Sequence, residues 1–409
     1  MPAPRRFYIV DDNLAVATTA KVLLEQAGHE ATICTSSPEA LQDIPRQRPD
    51  CVLLDIMLPE LDGLELCRRL RTMETLQDLK IVMFSSKAFE YDHQRAFEMG
   101  ADGYIQKPIK ADTFLAQINT VMLDDIAMQF WGVRGTMPRP GKDANKYGGN
   151  TSCVSLTFPR GQFFIFDAGS GIKRLGDHLL AAGTQRISGK LFISHPHWDH
   201  INTIPFFAPL YIRGNEFEIL GASQGNISIS DQVKAQMEGV YFPVTIREFG
   251  AHVYFRDLQE DTYDVDGIQV QTMLLSHPGN CLGYRVHYRG RSICYITDNE
   301  LFLPASDFYS DEYVERLTTF IAGTDVLITD TAYTDDQYVS KVGWGHSCLS
   351  QVVNLADRAK VKTLYLFHHD PSQDDDAIDK KLAVACAMLA ERGSPVTCVA
   401  PTENQLVRV

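Results

Sequence analysis

At 409 residues, with 44% hydrophobic and 22% charged residues, the chain is too long for one ordinary domain and apolar enough to pack two or three cores. A formal charge of −14 excludes a protein that grips a long nucleic acid mainly by electrostatics, while small phosphate esters drawn in by metal ions stay open. Nine cysteines scattered singly, without a Cys-x-x-Cys pair, argue for a reducing compartment rather than a disulfide framework.

The first residues lead straight into a strand, without the long apolar region of a signal peptide, and no run approaches membrane-spanning length. A soluble cytoplasmic protein with no membrane partner is therefore expected.

Residues 1–122 alternate strand and helix signals. Phe7-Tyr8-Ile9-Val10 reads as a buried strand, and Leu14 to Ala27 carries apolar residues at helical spacing with Gly28 in the stop position. Cys51 to Leu54, Ile81 to Phe84 and Gly103 to Ile105 repeat the pattern, which predicts a doubly wound parallel sheet, an α/β domain of (βα)5 type. In such sheets chemistry lies at the carboxyl ends of the strands, and those ends carry Asp11, Asp12, Asp55, Ser85 and Lys107-Pro108. Three carboxylates converging on one point repel unless a cation sits among them, so Mg²⁺ is implied.

This domain resembles the receiver domain of two-component response regulators along its whole length. Asp55 to Gly63 (Asp-Ile-Met-Leu-Pro-Glu-Leu-Asp-Gly) matches the phosphoacceptor loop, Ser85 the switch hydroxyl, Tyr104 the switch aromatic and Lys107-Pro108 the lysine with its proline. The resemblance implies phosphorylation of Asp55 by a sensor histidine kinase, with Mg²⁺ on Asp11, Asp12 and Asp55, and Lys107 and Ser85 reading the added charge.

A helix is expected from Asp112 to Met122, then a junction over 123–128 that lacks Gly and Pro and is not a floppy tether. From 129 to 409 the composition turns aromatic and β-branched. Strand-like runs end in Gly-rich loops: Gly132-Val133-Arg134-Gly135, Tyr147-Gly148-Gly149-Asn150-Thr151-Ser152 and Asp167-Ala168-Gly169-Ser170-Gly171.

The densest chemistry follows the apolar run Leu191-Phe192-Ile193. His195, His197, Asp199 and His200 fall within six positions, on a strand end that is rigid on one side and open on the other, as metal ligands require. Later strand ends offer His277 (after Leu274-Leu275-Ser276), Asp298 (after Cys294 to Thr297) and the pair His368-His369 (after Leu364 to Phe367).

The pattern His-x-His-x-Asp-His after a strand resembles the metallo-β-lactamase superfamily, whose fold is an αββα sandwich of two mixed sheets with helices outside. The Gly-rich motifs and Gly343-Trp344-Gly345-His346-Ser347 are similar to its branch containing phosphoribosyl cyclic phosphodiesterase and ribonuclease Z. The resemblance implies one metal on His195, His197 and His277, a second on Asp199, His200 and the last histidine, and Asp298 bridging them. The family pattern points to His368, with His369 as the alternative, then second to the ligands or at the surface. Imidazole and carboxylate suit Zn²⁺, Mn²⁺ or Fe²⁺ without choosing among them.

Asp199 and His346 are the expected catalytic groups, His346 as proton donor to a leaving alkoxide. Ser347 is read as the cap of the following helix, whose amides would meet phosphate oxygens. Arg134 is a weaker candidate for a phosphate contact. Asp167 is expected to orient a histidine or the metal loop, and Asp330 to do the same. The aromatic segments Pro205 to Tyr211 and Gly239 to Pro243 offer a stacking surface for a base or a face for a homodimer.

These elements imply a response regulator with a dinuclear-metal phosphodiesterase output, acting on a cyclic nucleotide, cyclic dinucleotide or related small phosphodiester. Two other readings remain at this point: hydrolysis of another ester or lactone, and a phosphorylation-controlled module that only binds a ligand or partner.

Overall fold

The computed structural model describes residues 4–76, 78–86, 90–181 and 186–409. It divides into two compact units: 1–126 together with 158–161, and 127–157 with 162–409. The first carries β1 (Arg6–Val10), β2 (Glu30–Cys34), β3 (Cys51–Leu54), β4 (Lys80–Ser85) and β5 (Gly103–Gln106). They form one parallel sheet in the order β2-β1-β3-β4-β5.

The central strands are buried on both faces, which is why they read as unbroken apolar runs rather than alternating ones. One face packs Leu64, Leu66 and Leu70 from the helix Gly63–Arg71 among others. The opposite face packs Ala17, Ala20 and Leu24 from Leu14–Gln26 and Phe114 and Ile118 from Ala111–Leu123. Caps set where the helices begin: Asn13 accepts from the amides of Ala15 and Val16, and Asp62 from that of Leu64.

The second unit contains β6 (Ala127–Gly132), β7 (Cys153–Thr157), β8 (Phe163–Phe166), β9 (Ser188–Ile193), β10 (Glu216–Ala222), β11 (His252–Leu258) and β12 (Thr262–Val265). It continues with β13 (Ile268–Leu274), β14 (Leu282–Tyr288), β15 (Arg291–Ile296), β16 (Val326–Asp330), β17 (Thr363–Phe367), β18 (Thr397–Val399) and β19 (Leu406–Arg408). Two seven-stranded mixed sheets result, ordered β11-β10-β9-β8-β7-β6-β19 and β12-β13-β14-β15-β16-β17-β18.

Aromatic rings fill the space between these sheets. Phe166 stacks on Phe192 with centroids 5.2 Å apart, and Phe166–Tyr295, Phe192–Tyr284 and Phe130–Tyr365 meet at 5.4, 5.3 and 5.2 Å. Each buried ring stabilises by about 1.5–3 kcal/mol, and truncating one to alanine costs about 3–5 kcal/mol. Helices Gly171–Ala181 and Ile229–Ala235 cover the first sheet, and Asp311–Ile321, Leu349–Arg358 and Asp375–Glu391 cover the second.

The five-stranded sheet is the one expected from the strand and helix signals, and the sandwich the one the family resemblance implies. All nine cysteines are free thiols. Among the described residues, no helix is long and apolar enough to cross a membrane.

Candidate metal centre

In the first unit, strand ends bring Asp11, Asp12 and Asp55 together, with carboxylate oxygens within 4.8 Å of one another. Lys107 Nζ lies 2.7 Å from Asp11 Oδ2 and 2.9 Å from Asp55 Oδ2. Burial raises the pKa of Asp11, while the bonds from Lys107 and the Asn13 amide oppose that rise. An all-oxygen set with one exposed member, Asp12, fits Mg²⁺, which keeps several waters of its own. Ser85 is fully buried. Half-buried Tyr104 bonds to it, and burial raises the phenol's pKa against that bond.

In the second unit the sheets deliver the ligand-type side chains from loops after β9, β13, β15 and β17. His195, His197, His277 and Asp298 form one cluster, and Asp199, His200, Asp298 and His368 a second. Asp298 belongs to both, one oxygen to each. Its Oδ2 is 3.5 Å from His195 Nε2 and 3.7 Å from His277 Nε2, while its Oδ1 is 3.3 Å from His200 Nε2 and 3.0 Å from His368 Nε2.

Hydrogen bonds on the far side of each ring decide what faces inward. His200 Nδ1 donates to Asp167 Oδ2 at 2.7 Å and His277 Nδ1 to the Gly345 carbonyl at 2.9 Å, leaving both Nε2 lone pairs toward the centre. There ring nitrogens face one another, His200 to His368 at 3.2 Å and His277 to His197 at 3.1 Å. Buried His195 Nε2 has no hydrogen-bond partner.

Lone pairs this close require positive charge between them. The same demand acts on His200: burial disfavours charge there, yet Asp199, Asp298 and Asp167 outweigh that and lift its pKa well above the usual histidine value. Burial raises the pKa of Asp298, but His368, His200 and His195 together pull it well below the ordinary carboxylate range. The donor set and its demand for cationic charge fit two divalent ions on nitrogen and oxygen ligands.

His346 stands beside this cluster, its ring stacked on His368 with centroids 5.0 Å apart. Its Nδ1 donates to Asp330 Oδ2 at 2.7 Å. Burial lowers its proton affinity, but the charge and hydrogen bond of Asp330 prevail, with Asp298 and Asp199 behind them, and hold the pKa up at about 9.

Close packing explains the glycines on either side. A Cβ on Gly135 would lie 2.2 Å from the His368 ring, and one on Gly345, at φ +86°, 2.3 Å from the His277 ring. Three non-glycine residues here also occupy the left-handed region: His368 at φ 57°, Asp167 at 59° and Thr136 at 64°.

His368 reaches the cluster, as the family pattern has it: β17 stops at Phe367, and the left-handed turn at His368 aims its ring inward. Three other sequence readings need correction. His369 is neither a ligand nor at the surface. It is fully buried, with its ring edge toward Tyr147, and burial drives its pKa well below normal.

Ser347 does not cap the following helix, because that helix starts at Leu349 with Cys348 in the cap position. The Ser347 hydroxyl is claimed instead by the loop after Asp298, donating to the Asn299 carbonyl at 2.6 Å and accepting from the Leu301 amide at 2.9 Å. Arg134 has no phosphate to meet. It is fully buried, bonded to the carbonyls of Gly148 and Gln373 and 3.7 Å from Asp375.

Behind the ligands stand Asp167, which the sequence reading had in that role, and Glu300, which it missed. Asp167 accepts from the Ser194 amide and hydroxyl at 2.7 and 2.9 Å and from the Tyr295 hydroxyl at 2.7 Å. Glu300, buried two residues after Asp298, accepts from Tyr338 at 2.8 Å and from the amides of Gly343 and Gly345 at 2.7 Å each. The run Asp298-Asn299-Glu300 was the available signal. Of the aromatic segments, Phe207 packs on Phe217 in the core, and exposed Phe206 meets Phe242 edge-on at 5.2 Å.

The response regulator receiver domain matches residues 7–119 and a beta-lactamase superfamily domain matches 164–369. Over 118 residues the chain is 31% identical to the alkaline phosphatase synthesis transcriptional regulatory protein PhoP of Bacillus subtilis, covering 29% of this chain and 48% of that protein. Over 114 residues it is 36% identical to the sensory transduction protein RegX3 of Mycobacterium bovis, covering 28% and 49%. The chain thus spans about half the length of the curated relatives it matches. The metallo-beta-lactamase fold protein YhfI of Bacillus subtilis is similar in structure, with a TM-score of 0.50 at 17% identity, covering 70% of this chain and 100% of that one.

Proposed function

The chain belongs to the beta-lactamase superfamily, and from that premise we propose that it is a response regulator whose output is a dinuclear-metal phosphodiesterase for a small phosphodiester, a cyclic nucleotide or cyclic dinucleotide. A receiver domain stands at its N-terminus and a metallo-beta-lactamase fold, the framework of a metal-dependent hydrolase, at its C-terminus.

The observation that carries the reading is Asp298, whose two oxygens each face a separate set of histidines. His195, His197 and His277 would hold one ion, Asp199, His200 and His368 the other, with Asp298 shared. When bound, such ions supply Lewis acidity toward water and phosphoryl oxygens.

The protein's own groups do the rest. Asp199 Oδ2 accepts from the Thr136 amide at 2.6 Å and lies 3.0 Å from His368 Nε2, a fixed carboxylate available to orient the attacking water. His346 spends Nδ1 on Asp330, so its other nitrogen carries the proton for the departing alkoxide. That donor suits phosphodiester cleavage, whose alkoxide leaving group departs poorly without a proton. A sensor histidine kinase would phosphorylate Asp55, with Mg²⁺ on Asp11, Asp12 and Asp55.

Metal analysis of the purified protein, with a panel of cyclic mononucleotides, cyclic dinucleotides and chromogenic phosphodiesters, tests the reading. Two transition-metal ions per chain and cleavage of at least one diester are expected. Absence of bound metal, or metal without ester cleavage, rejects it.

A further inference from the structure

We propose that Trp198 and Trp344 are specificity residues of this centre, two indoles beside its open side that stack on a planar ring of the substrate, restricting it to phosphodiesters that bear a nucleobase. The inference rests on the phosphodiesterase reading above.

The centre is closed unevenly. Asp199, His200, Asp298 and His368 are buried, whereas His197 is exposed, so a substrate approaches over the His197–His277 pair. Trp198 directly follows His197 and is 81% exposed; Trp344 directly precedes Gly345, whose carbonyl holds His277, and is 58% exposed. Since the His197 and His277 rings face each other at 3.1 Å, the two segments that bear indoles each adjoin the opening. The third tryptophan, Trp131, is buried and donates to Ser155.

An exposed ring on a mobile loop would carry little meaning, but Trp344 sits on a fixed backbone. The amides on both sides, Gly343 and Gly345, donate to buried Glu300, and the Trp344 amide donates to the Lys341 carbonyl at 3.1 Å. Lys341 Nζ lies 3.7 Å over the indole, so one face of a ring that is still 58% exposed carries a cation. A held ring with a cation behind it suits an anionic, aromatic ligand, because little ordering remains to be done on binding. Base–aromatic stacking tolerates any base, so the pair selects for a nucleobase without choosing which.

The test compares kcat/KM for an adenosine cyclic phosphate with that for the base-free ribose cyclic phosphate, in wild type, Trp198→Ala, Trp344→Ala and Trp344→Phe. Quenching of tryptophan fluorescence by a non-hydrolysable adenosine phosphorothioate gives a readout without turnover. The ratio should fall about tenfold in each alanine variant, be largely kept in Trp344→Phe, and the quenching should shrink in parallel.

An equal ratio in wild type and both alanine variants overturns the proposal. So does loss of a dimer in Trp198→Ala on size-exclusion chromatography with the ratio intact, which would assign the indoles to a second copy of the chain. If the wild type cleaves neither ester, the quenching decides on stacking and its absence overturns the proposal; if it cleaves no diester of the panel above, the phosphodiesterase reading fails as well.

Discussion

The two units place charged side chains at the carboxyl ends of strands, but hold them in opposite ways. In the receiver, Asp11 and Asp55 share the ammonium of Lys107 and Asp12 faces solvent, so positive charge is present before any ion arrives and the cluster sits at the surface. Among the described residues of the sandwich, no lysine pairs with the cluster. Imidazole nitrogens face one another at 3.1–3.2 Å, and a second tier of carboxylates, Asp167 and Asp330, fixes the rings from behind. One arrangement suits an ion and a phosphoryl group that come and go; the other is suited to retain its metals.

The contrast breaks first at the shared carboxylate. Asp298→Ala should lower turnover by at least about 10³-fold, several kcal/mol of transition-state stabilisation. It should also reduce bound metal from two ions to one or fewer by elemental analysis, while Mg²⁺-dependent phosphorylation of Asp55 by a small phosphodonor persists. Full turnover in that variant would falsify the bridging role.

Next comes His346→Gln, expected to cost about 10²–10⁴-fold with an alkoxide leaving group, and much less with p-nitrophenolate, which departs without a proton. Metal content should not change. Because the acid form is the active one, wild-type kcat should fall as the pH rises through about 9, and Asp330→Asn should move that fall to lower pH. A profile indifferent to Asp330 counts against the pair.

Asp167→Asn should weaken metal binding about 10–100-fold in competition with a chelator, through the misdirected His200 ring. The smallest effect belongs to the receiver. Asp55→Asn should abolish labelling by the phosphodonor and leave metal content untouched. In the wild type, phosphorylation should change kcat/KM by about 5–150-fold, the range of a 1–3 kcal/mol coupling, and in Asp55→Asn it should not.

The parts legible in the sequence were those whose signal is local. Buried parallel strands announce themselves as apolar runs, and a ligand set that crowds His195, His197, Asp199 and His200 into one strand end is hard to mistake. What failed needed partners remote in the chain. Arg134 is bonded to carbonyls at Gly148 and Gln373, and Ser347 to the loop at Asn299 and Leu301; neither partner has a sequence signature.

The His368–His369 ambiguity had the same root. Only the packed neighbours of His368, with Gly135 clearing space for its ring, reveal the left-handed turn that sends the two adjacent rings different ways. Glu300 was passed over because a lone glutamate is ordinarily a solvated residue, and its three donors come from a loop some forty positions on.

The left-handed backbone at Thr136, Asp167 and His368 has a further consequence. Each such residue is disfavoured by about 1–3 kcal/mol, and all three belong to the wall of one cluster. Coordination would offset that cost, so stripping the cations leaves it uncompensated at these three places. Amide hydrogens around 134–136, 167–170 and 367–370 should then exchange with deuterium sooner in chelated protein than in loaded protein, while the edge strand Glu30–Cys34 of the first unit keeps its rate. Loading with metal would thus be recorded in the chain as a local tightening, readable without any substrate.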